Sequence, residues 1–268
     1  MTTETPPTRG PFADAAAQSG KLVVFTLDVL AASVRVLLRR RLAWRELVRQ
    51  TWFLVSVSTT PALLMMIPLG VLVAINIGAL ADQLGAANYS GAVVAFAVVG
   101  QAAPLVCALM IAGVGGSAIC SDLGARKLRE ETDAMEVMAL STMERLVVPR
   151  MLAAVAVTVL LNGVVMAVGI GACLVVHVAI GHSAEAFLGT LTQYADVGNF
   201  VVGEVKAISF AVLSGLVASF KGLTAKGGPS GLGDAVNESV VMSFILVFVA
   251  NTTISELSPL FLPATGEF

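Results

Sequence analysis

Few residues in this chain have the type and spacing to do chemistry. The two histidines, His177 and His182, stand five positions apart and so do not share a helix face, and no carboxylate lies beside them at ligand spacing. They read as interface residues and not as a metal site. No Ser-His-Asp arrangement or nucleophile elbow is present. The three cysteines, Cys107, Cys120 and Cys173, are odd in number and far apart, giving neither a disulfide framework nor metal spacing. The run Lys226-Gly227-Gly228-Pro229-Ser230-Gly231-Leu232-Gly233 is rich enough in glycine to suggest a phosphate cradle. A P-loop needs a Gly-Lys-Ser/Thr end feeding a helix, which this run lacks, so it reads as a tight, φ-permissive turn. Gly20-Lys21-Leu22 fails the same test. The sequence therefore supplies no catalytic residue, no metal ligands and no nucleotide motif. Glu204 and Lys206 differ from the rest because they fall in or beside an apolar segment. Such residues face a bundle interior or an aqueous cavity; alternatively both sit at the outer interface with Lys206 snorkelling.

The other concentration of polar chemistry is the segment Asp122–Glu136, where eight of fifteen residues are charged: Asp122, Arg126, Lys127, Arg129, Glu130, Glu131, Asp133 and Glu136. Read as one helix over 120–138, it offers the i,i+4 pairs Arg126–Glu130, Lys127–Glu131 and Arg129–Asp133, each worth a few tenths of a kcal/mol. Leu128, Met135 and Met138 form a narrow apolar seam at helical spacing. A solvated linker would explain the charges. The seam, with little of its own chain to pack against, favours docking on a cytoplasmic partner.

The elements that position these groups follow from charge and hydropathy. The chain has 268 residues, 57% hydrophobic and only 13% charged, with net charge −2, and its mean hydropathy is +0.89. That excludes disordered tails, collagen and nucleic-acid binders, and points to a chain whose main solvent is lipid. Stretches free of charge run from Arg49 to Asp82, Asp82 to Asp122 and Arg150 to Glu185; Lys206–Lys221 and Glu238–Glu256 are shorter gaps, so their helices must run past the flanking charges. A spanning helix needs about 20 apolar residues. Five spans result, roughly 52–81, 91–118, 147–180, 200–221 and 237–257. Lys and Arg gather before span one, between spans two and three (Arg126, Lys127, Arg129, Arg145, Arg150) and between spans four and five (Lys221, Lys226), which puts the N-terminus in the cytoplasm and the C-terminus outside. Trp52, Tyr89 and Tyr194 fall near the interfaces. Residues 1–18 read as a disordered leader and 19–48 as an interfacial elbow, whose stripe Lys21, Asp28 and Arg35 suits a helix lying in the membrane plane better than a sixth span. The five-span core then covers 49–258, and 259–268 form an extracytoplasmic tail. The expected fold is an all-α integral membrane protein with an interfacial N-terminal helix and five transmembrane helices.

Two stretches resemble one family. Glu130-Glu131-Thr132-Asp133-Ala134-Met135 followed by Leu146-Val147-Val148-Pro149-Arg150-Met151-Leu152-Ala153 is similar to the paired signature of the MlaE/YrbE permeases. Lys226–Val241 resembles that family's glycine-rich stretch, and Ala118-Ile119-Cys120-Ser121-Asp122-Leu123-Gly124-Ala125-Arg126 also fits. Trp44-Arg45-Glu46-Leu47 and Gln50-Thr51-Trp52 look like actinobacterial YrbE A-type members. The resemblance covers roughly 40–257. Thr132 stands where the family usually has Ile, and Ala139-Leu140-Ser141-Thr142-Met143 replaces a typical GIDPI stretch.

The resemblance implies a permease subunit of an ATP-driven, MCE-type lipid transporter in the inner (plasma) membrane. It implies a cytoplasmic ABC ATPase carrying the ATP and Mg, a second, B-type YrbE permease, extracytoplasmic MCE-domain proteins, and a lipid substrate of the fatty acid, sterol or phospholipid class. Nucleic acid is not implied as a partner. The segment Arg126, Arg129, Glu130, Glu131, Asp133, Met135 and Glu136 would be the coupling contact, with Glu204 and Lys206 as substrate-path candidates. The competing classes are a stand-alone secondary transporter, for which Glu204 and Lys206 are a thin basis and the sequence shows no convincing internal repeat, a membrane-embedded enzyme, for which two isolated histidines are no constellation, and a scaffold without ATPase coupling.

Overall fold

A computed structural model of the protein describes residues 11–38, 43–85, 89–195 and 197–261. Among them the chain is helical throughout, with no strand. The helices are α1 (Pro11–Leu38), α2 (Trp44–Gln83), α3 (Ser90–Leu128), α4 (Glu131–Val137), α5 (Met143–Ala179), α6 (Ala184–Tyr194), α7 (Val197–Leu223) and α8 (Gly228–Phe261). Five of them, α2, α3, α5, α7 and α8, are long and apolar enough to cross a membrane, as the charge-free stretches predict.

The boundaries differ from the sequence reading in four places. Of the expected leader, residues 11–18 belong to α1; alanines at 13 and 15–17 favour helix, and Pro11 suits a first helical position. Residues 1–10 lie outside the described ones. The expected elbow over 19–48 is two pieces, because Trp44 already belongs to α2; residues 39–42, including Arg39, Arg40 and Arg41, are outside the described ones. Helix α2 has 40 residues, about 60 Å at 1.5 Å each, so it outreaches the hydrocarbon core at its ends. At the far end α8 runs to Phe261, into the expected tail. The fourth difference is a break in the charged segment between α3 and α4.

Helix α2 buries every fourth residue, Gln50, Leu54, Ser58, Ala62, Met66, Gly70, Ala74 and Gly78. That stripe of mostly small side chains lets its backbone approach α5 closely. A Cβ on Gly70 would stand 3.1 Å from both the Ala172 Cβ and the Gly169 carbonyl oxygen, and the Cys173 thiol donates to the Gly70 carbonyl at 3.2 Å. Helix α3 is not a uniform α-helix. It turns π-helical over Ala95–Ala102 and Ile111–Gly115, and α5 opens with a π turn over Met143–Val147; such turns mark functional sites often enough to direct attention to what their loosened carbonyls meet. Helix α1 packs Phe25, Val29, Ala32 and Val36 against Val147, Val148, Met151, Leu216 and Phe220. Its Lys21, Asp28 and Arg35 are exposed, as are Val23, Val24 and Leu27 on another face.

Candidate functional site

The charged segment is not one helix. Helix α3 ends at Leu128, and Glu130 adopts a left-handed backbone with φ 59°. The chain then starts the seven-residue α4. At its far end Ala139 is left-handed too, with φ 56°, and the backbone bonds Leu140 N–H to Met135 O (2.9 Å) and Ala139 N–H to Glu136 O (3.0 Å) close the helix. The break replaces the expected i,i+4 pairs. Arg126 pairs with Asp122 (3.4 Å) and Glu131 (3.6 Å), Arg129 with Glu131 (2.8 Å), and Lys127 with Asp133. The partly exposed pairs to Glu131 and Asp133 clip α4 back onto the end of α3, each worth at most about 1 kcal/mol.

The expected seam also divides. Thr132 is buried and Met135 packs on the core formed with Leu54, Leu123 and Ala154, so both face the protein's own bundle. The apolar residues that point outward are Met138 and Val137, the latter 89% exposed. Val137 escaped the sequence reading because an unbroken helix puts it off the seam.

Behind α4 lies a residue that the sequence reading used only as a basic count and a motif letter. Arg150 has no solvent exposure. Its Nη1 donates to the Leu146 carbonyl at 2.6 Å, and its Nε (3.2 Å) and Nη2 donate to one oxygen of Asp122. Glu46 stands 3.6 Å away, its oxygen also accepting from Gln50 at 2.8 Å. One guanidinium thus joins the first spanning helix, the end of the second and the start of the third. The sequence signal was an arginine set behind Leu146-Val147-Val148-Pro149, insulated by apolar residues from its basic neighbours.

Only the start of the glycine-rich run is a tight turn, with Gly227 at φ +87° and Gly228 at φ +73°; from Gly228 onward the run forms the first turns of α8, contrary to the turn expected over Lys226–Gly233, and a Cβ on Gly231 would stand 1.7 Å from the Lys226 carbonyl oxygen. The buried Lys221 ties the end of α7 to α8 by a 2.6 Å pair with Glu238.

Within the bundle, Lys206 is 2% exposed, so it is interior and not an outer-interface side chain. Its Nζ donates to the Gly100 carbonyl and the Ser255 hydroxyl, both at 2.9 Å, with Gln101 Oε1 at 3.4 Å. Gly100 and Gln101 belong to the π-helical stretch of α3, whose loosened backbone leaves a carbonyl for the amine. Glu204, two positions away on α7, turns to a different partner. It accepts from the fully buried Asn162 at 3.0 Å, while its other oxygen and the Asn162 carbonyl oxygen are buried without a partner. The structure brings Glu204 and Lys206 into the bundle but gives each its own polar cluster, both far along the chain from the α4 residues.

At the opposite end the histidines do meet. Gly181, at φ +99°, turns the chain after α5, so that His182 N–H bonds His177 O at 3.2 Å and the two rings stack at 4.7 Å. His182 lies 3.4 Å from Asp82, and Ser90 Oγ 3.4 Å from His177 Nδ1. Among the described residues no group of three or more His, Cys, Asp or Glu could hold a metal ion, and the three cysteines are buried and unpaired.

Comparison with known proteins gives this arrangement its kin. A probable ABC transporter permease protein of Synechocystis sp. is 28% identical over 65% of this chain and 66% of its own length. A probable ABC transporter permease protein of Rickettsia bellii is 25% identical over 89% of this chain and 91% of its own. The chloroplast protein trigalactosyldiacylglycerol 1 of Arabidopsis thaliana is 25% identical over 65% of this chain, and the match spans half of that protein's length. The family model for the permease MlaE matches residues 47–257, taking in all five spanning helices and both polar clusters, and this multi-pass membrane chain therefore belongs to the MlaE permease family.

Proposed function

We propose that the chain is the permease subunit of an ABC-type transporter that moves lipid across the inner membrane, driven by a cytoplasmic ATPase that carries the ATP and Mg. The N-terminus is cytoplasmic and the C-terminus extracytoplasmic. The ATPase docks on α4 and moves it, and the three-helix junction at Arg150 passes the movement to the spans. The observation that carries this reading is that α4, with Val137 and the adjoining Met138 exposed, is tied through Glu131 to Arg126 and through Asp122 to a fully buried arginine bonded to the spanning helices. Arg126, Arg129, Glu130, Glu131, Asp133 and Glu136 set the charge and orientation of the docking face, and Met135 anchors it from within. Lys206 and Glu204 line the path of a polar headgroup. The lipid class is supported by the name of the Arabidopsis relative, which is that of a galactolipid. A second, B-type permease and extracytoplasmic MCE-domain proteins complete the assembly, with this chain as the A-type subunit.

The test is co-purification. Val137→Glu with Met138→Glu leaves the buried face of α4 intact, so the variant inserts normally but loses the ATPase when purified from membranes. Undiminished ATPase recovery overturns docking on α4. The buried Glu204 and Lys206 give a stand-alone, gradient-driven transporter its one footing; lipid transport by this chain alone in liposomes, dependent on a proton or sodium gradient, would establish that reading instead.

A further inference from the structure

The first turns of α2 present a shallow, largely open surface groove between the side chains of Trp44, Arg45, Val48, Arg49 and Trp52. Trp44, Val48 and Trp52 recur every four residues, so they make one face of the helix. All three are exposed, at 65%, 63% and 74%. The face extends about 12 Å along the axis. Arg45 and Arg49 flank it and are exposed as well. The charge-free stretch of α2 begins directly after Arg49, so Trp52 stands at the edge of the hydrocarbon while the two guanidinium groups stand at headgroup depth.

The charge balance of the groove is positive. Arg45 makes no ion pair among the described residues. Arg49 is 3.4 Å from Glu46, but the same Glu46 oxygen already takes a 2.8 Å bond from Gln50 and faces Arg150 at 3.6 Å. Arg49 is thus left with donors to spare. Two guanidinium forks suit phosphate oxygens, which they grip in pairs, and the indole rings with Val48 offer the apolar wall that an acyl chain needs beside a polar head.

We propose that this groove binds an anionic phospholipid of the adjacent leaflet, its phosphate on Arg45 and Arg49 and its upper acyl chain along Val48 and Trp52. The site is separate from the interior clusters at Lys206 and Glu204, and the proposal goes beyond the transport reading without depending on it. A bound phosphate would draw Arg49 away from Glu46, the carboxylate that also faces the buried Arg150, so the lipid sits one contact from the three-helix junction.

The chain has two tryptophans, and both line this groove, so its tryptophan fluorescence, excited beyond the tyrosine band, reports the site alone. The full-length chain is reconstituted in phosphatidylcholine vesicles that contain a low mole fraction of phosphatidylglycerol or phosphatidylcholine brominated on the acyl chain. Brominated phosphatidylglycerol should quench at a mole fraction up to about 25-fold lower, about fivefold for each arginine, and raising the salt should erode the difference. Arg45→Gln with Arg49→Gln should equalise the two lipids, whereas Arg45→Lys with Arg49→Lys and, on a different helix, Arg35→Gln should keep the preference. Equal quenching of the unaltered chain by both lipids overturns the site. So does a preference that survives the double Gln variant, or one lost equally on Arg35→Gln, which would mean diffuse attraction. A chain that neither lipid quenches has the groove covered by protein, which also overturns it. If the double Gln variant does not fold, the salt series on the unaltered chain decides, and a salt-indifferent preference counts against the proposal.

Discussion

Arg150 donates from Nε and Nη2 to a single oxygen of Asp122, a residue 28 positions earlier on the preceding spanning helix, and does so with no part of its side chain exposed. Removing the carboxylate leaves the buried guanidinium bonded to the Leu146 carbonyl, with Glu46 as its remaining carboxylate neighbour. Asp122→Asn should cost about 3 kcal/mol of stability, at the low end for a broken buried pair because Asp122 is itself partly exposed. Arg150→Met should cost less, since Asp122 can turn to water. Thermal unfolding of the two variants in detergent checks the order, and Asp122→Asn combined with Glu46→Gln should lose more than the sum of the single changes.

The clips on α4 are weak as stabilisers. Glu131→Lys with Asp133→Lys breaks three pairs and should cost at most about 3 kcal/mol, because Glu131 and Asp133 are both substantially exposed. The effect should fall on function instead, with lipid transport uncoupled from ATP hydrolysis in the assembled complex while insertion is unchanged. Normal transport per ATP hydrolysed in that variant would sink the coupling role.

Lys206 should separate stability from transport. Lys206→Met keeps the volume and removes the buried charge, and Gln101 can still bond Ser255, as it does now at 3.3 Å. Stability should change by no more than about 2 kcal/mol, while transport of a lipid with a charged headgroup should fall at least tenfold. Unchanged transport rates in vesicles would remove Lys206 from the path.

Helix contact predicts opposite outcomes for two glycines. A Cβ on Gly91 would stand 2.1 Å from the Phe187 carbonyl oxygen and 2.6 Å from Thr190 Oγ1, whereas one on Gly163 would meet nothing within 4 Å. Gly91→Ala must push α6 off α3 and should cost about 1–3 kcal/mol. Gly163→Ala should be neutral or slightly stabilising, because alanine favours the helix. Comparing their melting temperatures with the unaltered chain decides it.

The sequence by itself determined the number of spanning helices and their places, because a membrane core tolerates almost no charge and the 34 ionisable Lys, Arg, Asp and Glu residues had to gather at the helix ends. It also singled out Glu204 and Lys206, whose position in an apolar segment is a one-dimensional fact. Tertiary structure decided what these groups touch. Lys206 meets Gly100 and Ser255, residues 106 and 49 positions away, and no local periodicity encodes such distances. The same holds for Arg150, whose burial depends on three helices converging. The break at Glu130 was hidden for a different reason: a left-handed non-glycine residue runs against its own propensity, and is held there by the packing of Thr132 and Met135 and the ion pairs of Arg126 and Lys127, not by any local turn signal. Propensity and charge spacing act within a few residues, whereas the site is built from contacts that exist only after the helices have packed.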